Sequence, residues 1–185
     1  NEMIQRYTDT NDVVLDMFMG SGTTLFECEL LNRNYIGFDI NEDMIEYVEG
    51  KMKDTENIQY FIHNNDITDT PNVKNNIESD LKQLNKKNID LIISHPPYWD
   101  IVKFTDKKED LSNIIDLDDF VSTFISSVKN VWESLKKKGT FVMVIGDVYK
   151  NSEVVPLGFH LMNAIKENFN CLLKGIVVKD MVNNR

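Results

Sequence analysis

Three groups of residues have types and spacings that could do chemistry. The first is Asp16-Met17-Phe18-Met19-Gly20-Ser21-Gly22-Thr23-Thr24, which follows an apolar run and precedes an amphipathic one. Its two glycines let the backbone turn sharply and approach a ligand closely, which a Cβ would block. A strand, a glycine turn and a helix in that order form the usual seat of a nucleotide-type cofactor. The second group is a pair of acids: Asp39, after Ile36-Gly37-Phe38, and Asp66, a few residues beyond the next apolar run, with His63 and Ile67 nearby. A carboxylate at the position of Asp39 can accept both hydroxyls of a ribose, and one at Asp66 can meet an amino group of a base. The third group is Ser94-His95-Pro96-Pro97-Tyr98-Trp99. Two prolines end any sheet ladder there, and two aromatics beside a polar residue offer stacking next to a hydrogen-bonding group.

The elements that must position these groups are legible as alternating apolar runs and amphipathic stretches, which predict an α/β domain with one doubly wound sheet. Strands are expected at Val13-Val14-Leu15, Tyr35 to Phe38, Ile58 to Ile62, Ile89 to Ile93, Thr140 to Ile145 and Cys171 to Val178. A helix should start near Thr23, and Asn41 should cap another carrying Met44, Ile45, Val48 and Met52 on one face. A surface helix is expected around Val73 to Leu84. Phe120, Phe124, Val128, Val131 and Leu135 repeat at helical spacing, and Gly139 is expected to end that helix. Pro156 should open the last helix, with Leu157, Leu161, Ile165 and Phe169 facing inward. Residues 100–116 are mixed in charge and read as a mobile loop. The three acids and turns then all fall at the same edge of the sheet.

Composition bounds the rest. The chain has 185 residues, 42% hydrophobic and 27% charged, enough for one globular domain with a substantial core. No apolar run approaches the ~20 residues of a membrane span and no signal peptide opens the chain, so a cytoplasmic location is expected. Cys28 and Cys171 are far apart, and His63, His95 and His160 are scattered, so no metal site is expected. The net charge of −10 opposes nucleic-acid binding on composition alone, because phosphate contacts need clustered Lys and Arg. Asn1 in place of Met, and an end at Asn183-Asn184-Arg185, suggest a fragment.

The motif set resembles the DNA amino-methyltransferases, which make N6-methyladenine or N4-methylcytosine. It consists of Asp-x-Phe-x-Gly-Ser-Gly-Thr-Thr, Tyr-Ile-Gly-x-Asp and x-Pro-Pro-Tyr-Trp, joined by a later block at Gly146-Asp147-Val148 and Val155-Pro156-Leu157. The likeness extends over nearly the whole chain. It implies a Rossmann-like, mostly parallel class I methyltransferase fold over residues 1–185, with no target-recognition domain in this stretch. A seventh, antiparallel strand would follow the sixth in that family, and the chain may be read as lacking it. The implied cofactor is S-adenosylmethionine. Asp16, Phe18, Gly20, Gly22 and Thr23 would frame its methionine part, and Gln5-Arg6-Tyr7-Thr8 would close over that end. Asp39, Ile40, Asp66 and Ile67 would hold the adenosine.

By the same resemblance His95, Pro96, Pro97 and Tyr98 form the catalytic segment. Tyr98 would stack on a flipped DNA base, with Trp99 either extending the platform or packing in the core, and Lys103 reaching phosphate. The family carries Asp, Asn or Ser where this chain has His95; a neutral imidazole can accept one hydrogen bond from the target amine, a protonated one cannot. Ser94 is the alternative acceptor. The expected partner is DNA, with contacts supplied by a separate specificity domain or subunit, as in a restriction-modification enzyme. The runner-up is an RNA methyltransferase acting on a base amino group. A non-catalytic subunit with the same fold is the third reading. A dehydrogenase is disfavoured because the turn lacks the third glycine of the dinucleotide fingerprint.

Overall fold

The computed structural model describes residues 2–178. Five parallel strands form the central sheet in the order β3-β2-β1-β4-β5. They are β1 (Val13–Asp16), β2 (Asn34–Asp39), β3 (Tyr60–Asn64), β4 (Ile89–Ser94) and β5 (Leu135–Met143). The strand order reverses between β1 and β4, so the carboxyl ends of β1, β2 and β4 flank the switch point where ligands bind in open α/β sheets. All four residues of β1 are buried, as a central parallel strand covered on both faces requires.

Helices α1 (Glu2–Tyr7), α2 (Thr23–Leu31) and α3 (Glu42–Met52) cover one face. Ile4, Leu25, Cys28, Ile45, Val48 and Met52 pack there against Val14, Tyr35 and Leu91. On the other face, α4 (Thr70–Gln83), α5 (Leu117–Trp132) and α6 (Leu157–Asn168) bury Val73, Ile77, Phe120, Phe124, Val128 and Leu161 against Leu15, Ile36 and Ile92. Asn41 caps α3 by accepting a hydrogen bond from the Asp43 N–H at 3.0 Å, as read from the sequence. No helix among the described residues is long and apolar enough to cross a membrane.

Several boundaries differ from the sequence reading. The third strand lies two residues later than expected. The helix through Phe120 ends at Trp132, not at Gly139. Leu135 continues the helical spacing but belongs to β5, where it pairs with Ile89. The register then shifts, so Leu91 faces Thr140 and the intervening lysines bulge out. Gly139 is needed in that bulge: a Cβ there would lie 2.5 Å from Leu135 Cδ1 and 3.0 Å from the Asp90 carbonyl oxygen.

The sixth strand is absent as a ladder. Residues 171–178 run unpaired, with Leu172 77% and Val178 88% exposed. Their apolar sequence is strand-like, but a ladder needs a partner, and they pair with no strand among the described residues. A short antiparallel hairpin, β6 (Val148–Lys150) and β7 (Glu153–Val155), follows β5 instead. Nor is the segment 100–116 without structure. The Asp110 carboxylate accepts hydrogen bonds from the backbone N–H and hydroxyl of both Thr105 and Ser112. A 3-10 turn (Leu111–Asn113) buries Leu111 in the core.

Candidate active site

The glycine turn is stitched to both neighbouring strands. The Met17 N–H donates to the Ile93 carbonyl at 3.0 Å and the Met19 N–H to the Phe38 carbonyl at 2.9 Å. Gly20 and Gly22 have φ of 52° and 80°, a left-handed conformation that side chains disfavour. A Cβ on Gly22 would sit 2.8 Å from Val48, so this glycine brings α2 and α3 together. A Cβ on Gly20 would meet nothing within 4 Å and would project into open space. The open space above this stretch of backbone leaves room for a ligand to approach the turn. Thr23 opens α2, whose first turn has no side-chain cap. Phe18 is half-buried against the core beside the turn.

Two acids border this space. Asp16 ends β1, is 2% exposed and accepts the Phe18 N–H at 3.1 Å. Its carboxyl is raised from 3.8 to about 7, chiefly by burial, with the hydrogen bonds from Thr24 and Phe18 opposing the rise and the nearby Asp39 charge adding to it. Asp39 ends β2. Its two oxygens accept the Gly20 N–H at 2.6 Å and the Asn41 N–H at 2.8 Å, which fixes the carboxylate against the glycine turn. Burial raises its pKa too, with the Asp110 charge adding to the effect against those backbone bonds. A buried and a half-buried carboxylate at the ends of neighbouring strands suit a cationic ligand with vicinal hydroxyls.

Beyond Asp39, Ile40 offers its carbonyl to Lys107 Nζ at 2.8 Å. Both oxygens of Asp66 are engaged by Thr68, through the backbone N–H at 2.8 Å and through the hydroxyl. Ile67 turns into the core, and its carbonyl accepts from Asn130 Nδ2 at 2.9 Å. His63 stacks on Phe38 and bonds Asp80 on α4 at 2.6 Å. Asp66 and Ile67 therefore form a turn locked from both sides at the end of β3.

The proline loop leaves β4 at Ser94, whose carbonyl accepts the Val144 N–H at 2.8 Å. His95 is exposed and its Nε2 lies 3.0 Å from the Tyr98 hydroxyl, with the two rings tilted at 5.6 Å between centroids. Desolvation lowers the His95 pKa below 6.5, favouring the neutral ring. Pro96 is buried and Pro97 half-buried, so the pair anchors the loop while His95 and Tyr98 face outward. Tyr98 rests on Gly146, where a Cβ would come within 3.1 Å of its ring.

Two alternatives are decided here and one expectation is corrected. Trp99 is 8% exposed and sits in the core, so it extends no stacking platform. Its φ of 55° reverses the chain and turns the indole inward as Tyr98 stays outside. Ser94 Oγ is fully buried, which leaves His95 as the accessible acceptor. Thr8 is held by Arg33, which precedes β2 and so lies at the opposite edge of the sheet from the space over Gly20. The Gln5 to Thr8 segment thus ends away from the methionine position expected for it. Lys103 is exposed, with an ion-pair distance of 3.7 Å to the exposed Asp106.

Residues missed at the sequence level are Lys107 and Lys150, and the contact of Tyr98 with Gly146 was not foreseen. Lys150, on the hairpin, pairs with Asp100 and lies 4.0 Å above the Trp99 ring centroid. It is separated from them by some fifty residues, and no local signal marks it. Among the described residues, no group of three or more His, Cys, Asp or Glu could hold a metal ion.

A five-stranded parallel sheet with its glycine turn at the switch point is the class I methyltransferase fold. The chain superimposes with a TM-score of 0.51 on an S-adenosylmethionine-dependent methyltransferase from Clostridium acetobutylicum, at 21% identity over 82% of this chain and 50% of that one. Residues 1–50 match the DNA methylase family model, so the resemblance to the DNA amino-methyltransferases is shown over that stretch. Over 50 residues the chain is 46% identical to the type II methyltransferase M.HpaI of Haemophilus parainfluenzae, covering 27% of this chain and 16% of that enzyme. It is 37% identical over 91 residues to a probable tRNA (guanine(10)-N2)-dimethyltransferase of Methanothermococcus thermolithotrophicus, covering 47% and 51%. The chain spans about half or less of the length of these curated relatives.

Proposed function

We propose that this domain transfers a methyl group from S-adenosylmethionine to an exocyclic amino group in DNA, adenine N6 or cytosine N4, as a cytoplasmic modification enzyme. The observation that carries the reading is the pairing of two features at one sheet edge. One is the open space over Gly20, whose N–H is bonded to Asp39; the other is the outward His95–Tyr98 pair at the end of the neighbouring strand β4. The match of residues 1–50 to the DNA methylase model favours DNA.

S-adenosylmethionine would supply an electrophilic methyl group on a sulfonium. Asp39 would accept the ribose hydroxyls on the lone pairs its backbone partners leave free, and Asp16 would lower the energy of the cationic end. Asp66 and Ile40 would border the adenine. An aromatic amine is a weak nucleophile because its lone pair is delocalised into the ring. A hydrogen bond to each of its hydrogens, from His95 and the Pro96 carbonyl, would localise that pair toward the methyl group.

The His95–Tyr98 contact has a consequence for this step. If Nε2–H donates to the tyrosine oxygen, Nδ1 is the free acceptor. If the hydroxyl donates instead, the ring keeps no acceptor for the amine. Tyr98 would therefore act twice, stacking on the flipped base and, when its oxygen accepts from Nε2–H, holding the productive tautomer. Pro97 would keep the loop rigid. With a net charge of −10, the domain would depend on a specificity module for most phosphate contacts.

The 91-residue match to a tRNA guanine-N2 enzyme favours a second reading, since that target is also an exocyclic amine. Transfer of tritiated methyl groups to DNA and to tRNA, with digestion to nucleosides, separates the two. N6-methyladenine or N4-methylcytosine in DNA is the expected product. Methylation confined to guanine N2 in RNA would replace this reading by the second.

A further inference from the structure

The loop after Trp99 does not turn back from β4 but runs across the sheet edge. Its Lys107 Nζ donates to the Ile40 carbonyl at 2.8 Å and lies 3.1 Å from Glu42 Oε1, both just beyond the end of β2. Since β1 lies between β4 and β2, the loop passes over the end of β1, where Asp16 and Gly20 sit. Adjacent strands are about 4.8 Å apart, so the span bridged is roughly 10 Å.

The loop is built to hold one shape. Asp110 is buried and gathers Thr105 and Ser112 through four hydrogen bonds. Asn113 Nδ2 donates to the carbonyls of Thr105 at 2.9 Å and Lys107 at 2.7 Å. Leu111 plugs its far end into the core. Asp110 also lies near enough to Asp39 to oppose its ionisation. A preformed loop, anchored at one end by Trp99 and at the other by Leu111, thus reaches the opposite wall through a single lysine.

We propose that residues 100–113 form a gate over the cofactor space at Gly20, latched by Lys107 on Ile40 and Glu42. The inference rests on the reading of that space as the S-adenosylmethionine site. Lys107 contacts the wall and not the ligand, so it is a positioning residue whose effect is on passage. The latch is half-exposed, with Lys107 at 40% and Glu42 at 72%, and so is weak enough to open on the timescale of turnover.

A gate has a kinetic signature. Ligand enters and leaves through the open state, so a weaker latch speeds both directions and leaves the equilibrium nearly unchanged. Surface plasmon resonance with S-adenosylhomocysteine as probe reads both rates for wild type, Lys107→Ala and Lys107→Arg. Lys107→Ala is expected to raise kon and koff together by about three- to tenfold, the size of one partly exposed charged hydrogen bond, with Kd within about twofold. Lys107→Arg, which keeps a cation of similar reach, is expected to stay near wild type. A rise in koff with kon unchanged would make Lys107 a ligand contact and overturn the gate. Unchanged rates in Lys107→Ala would overturn it as well. Failure of wild type to bind the probe at all is a different result: it removes the cofactor reading itself, and the gate with it.

Discussion

Asp16 is held in a state that costs stability, and the cost can be measured. Its carboxyl has a pKa of about 7 in the folded chain against an ordinary 3.8, chiefly because it is buried. A raised carboxyl pKa means that the folded state holds the proton more tightly than the unfolded one. The resulting stability is full below pH 3.8, declines as pH rises, and is gone above about 7. At 1.36 kcal/mol per pH unit, the loss accumulates to about 4 kcal/mol by pH 8 and only about 1.7 kcal/mol by pH 5. Asp16→Asn cannot ionise, and its Oδ1 can still accept the Phe18 N–H. Relative to wild type, the variant should therefore gain about 2.5 kcal/mol more at pH 8 than at pH 5. Urea unfolding of both proteins at the two pH values gives the difference, with titrating groups that do not interact with Asp16 cancelling. An equal stability difference at pH 5 and pH 8 would refute the reasoning. The same variant should bind S-adenosylhomocysteine more weakly, because the charge facing the ligand ammonium is gone.

His95 must be neutral to accept a hydrogen bond from the amine, and partial desolvation lowers its pKa below 6.5. At saturating cofactor, methyl transfer should stay level from pH 8 to 6.5 and fall only below that. A decline beginning above 6.5 would contradict the assignment, and His95→Asn should abolish the fall. Tyr98→Phe keeps the ring but loses the hydroxyl that biases the His95 tautomer. It should lower kcat by about three- to tenfold with KM held, the size of one lost hydrogen bond. Tyr98→Ala should instead raise KM through lost base stacking, by about 1–3 kcal/mol. If the two variants shift the same parameter, the double role of Tyr98 is wrong.

The parts of the site that were legible in the sequence are those made by short-range chemistry. A glycine needed at positive φ, an asparagine cap and an acid ending an apolar strand each leave a local mark, and Gly20, Gly22, Asn41 and Asp39 lie where those marks put them. The order of strands and helices was readable for the same reason, since burial on both faces of β1 and β4 demands continuous apolar runs. What was not legible depends on contacts between distant segments. Trp99 is turned into the core by a left-handed backbone that no neighbouring residue demands, and it is covered by Lys150 from the hairpin. Leu135 satisfies both helical spacing and a strand, and pairing with Ile89 decides for the strand. Nothing local marks Lys107, yet its Nζ is committed to a carbonyl 67 residues earlier in the chain. The apolar stretch 171–178 reads as a strand in isolation, but pairing is a property of two segments.

The central claim is that the open space bounded by Gly20 and Asp39 is a cofactor site. Calorimetric titration of the chain with S-adenosylhomocysteine, wild type against Asp39→Ala, tests it most directly. Binding by wild type that Asp39→Ala abolishes, with both proteins folded by circular dichroism, is the expected result. A folded wild type that takes up no heat, or an Asp39→Ala variant that binds as well as wild type, would contradict it.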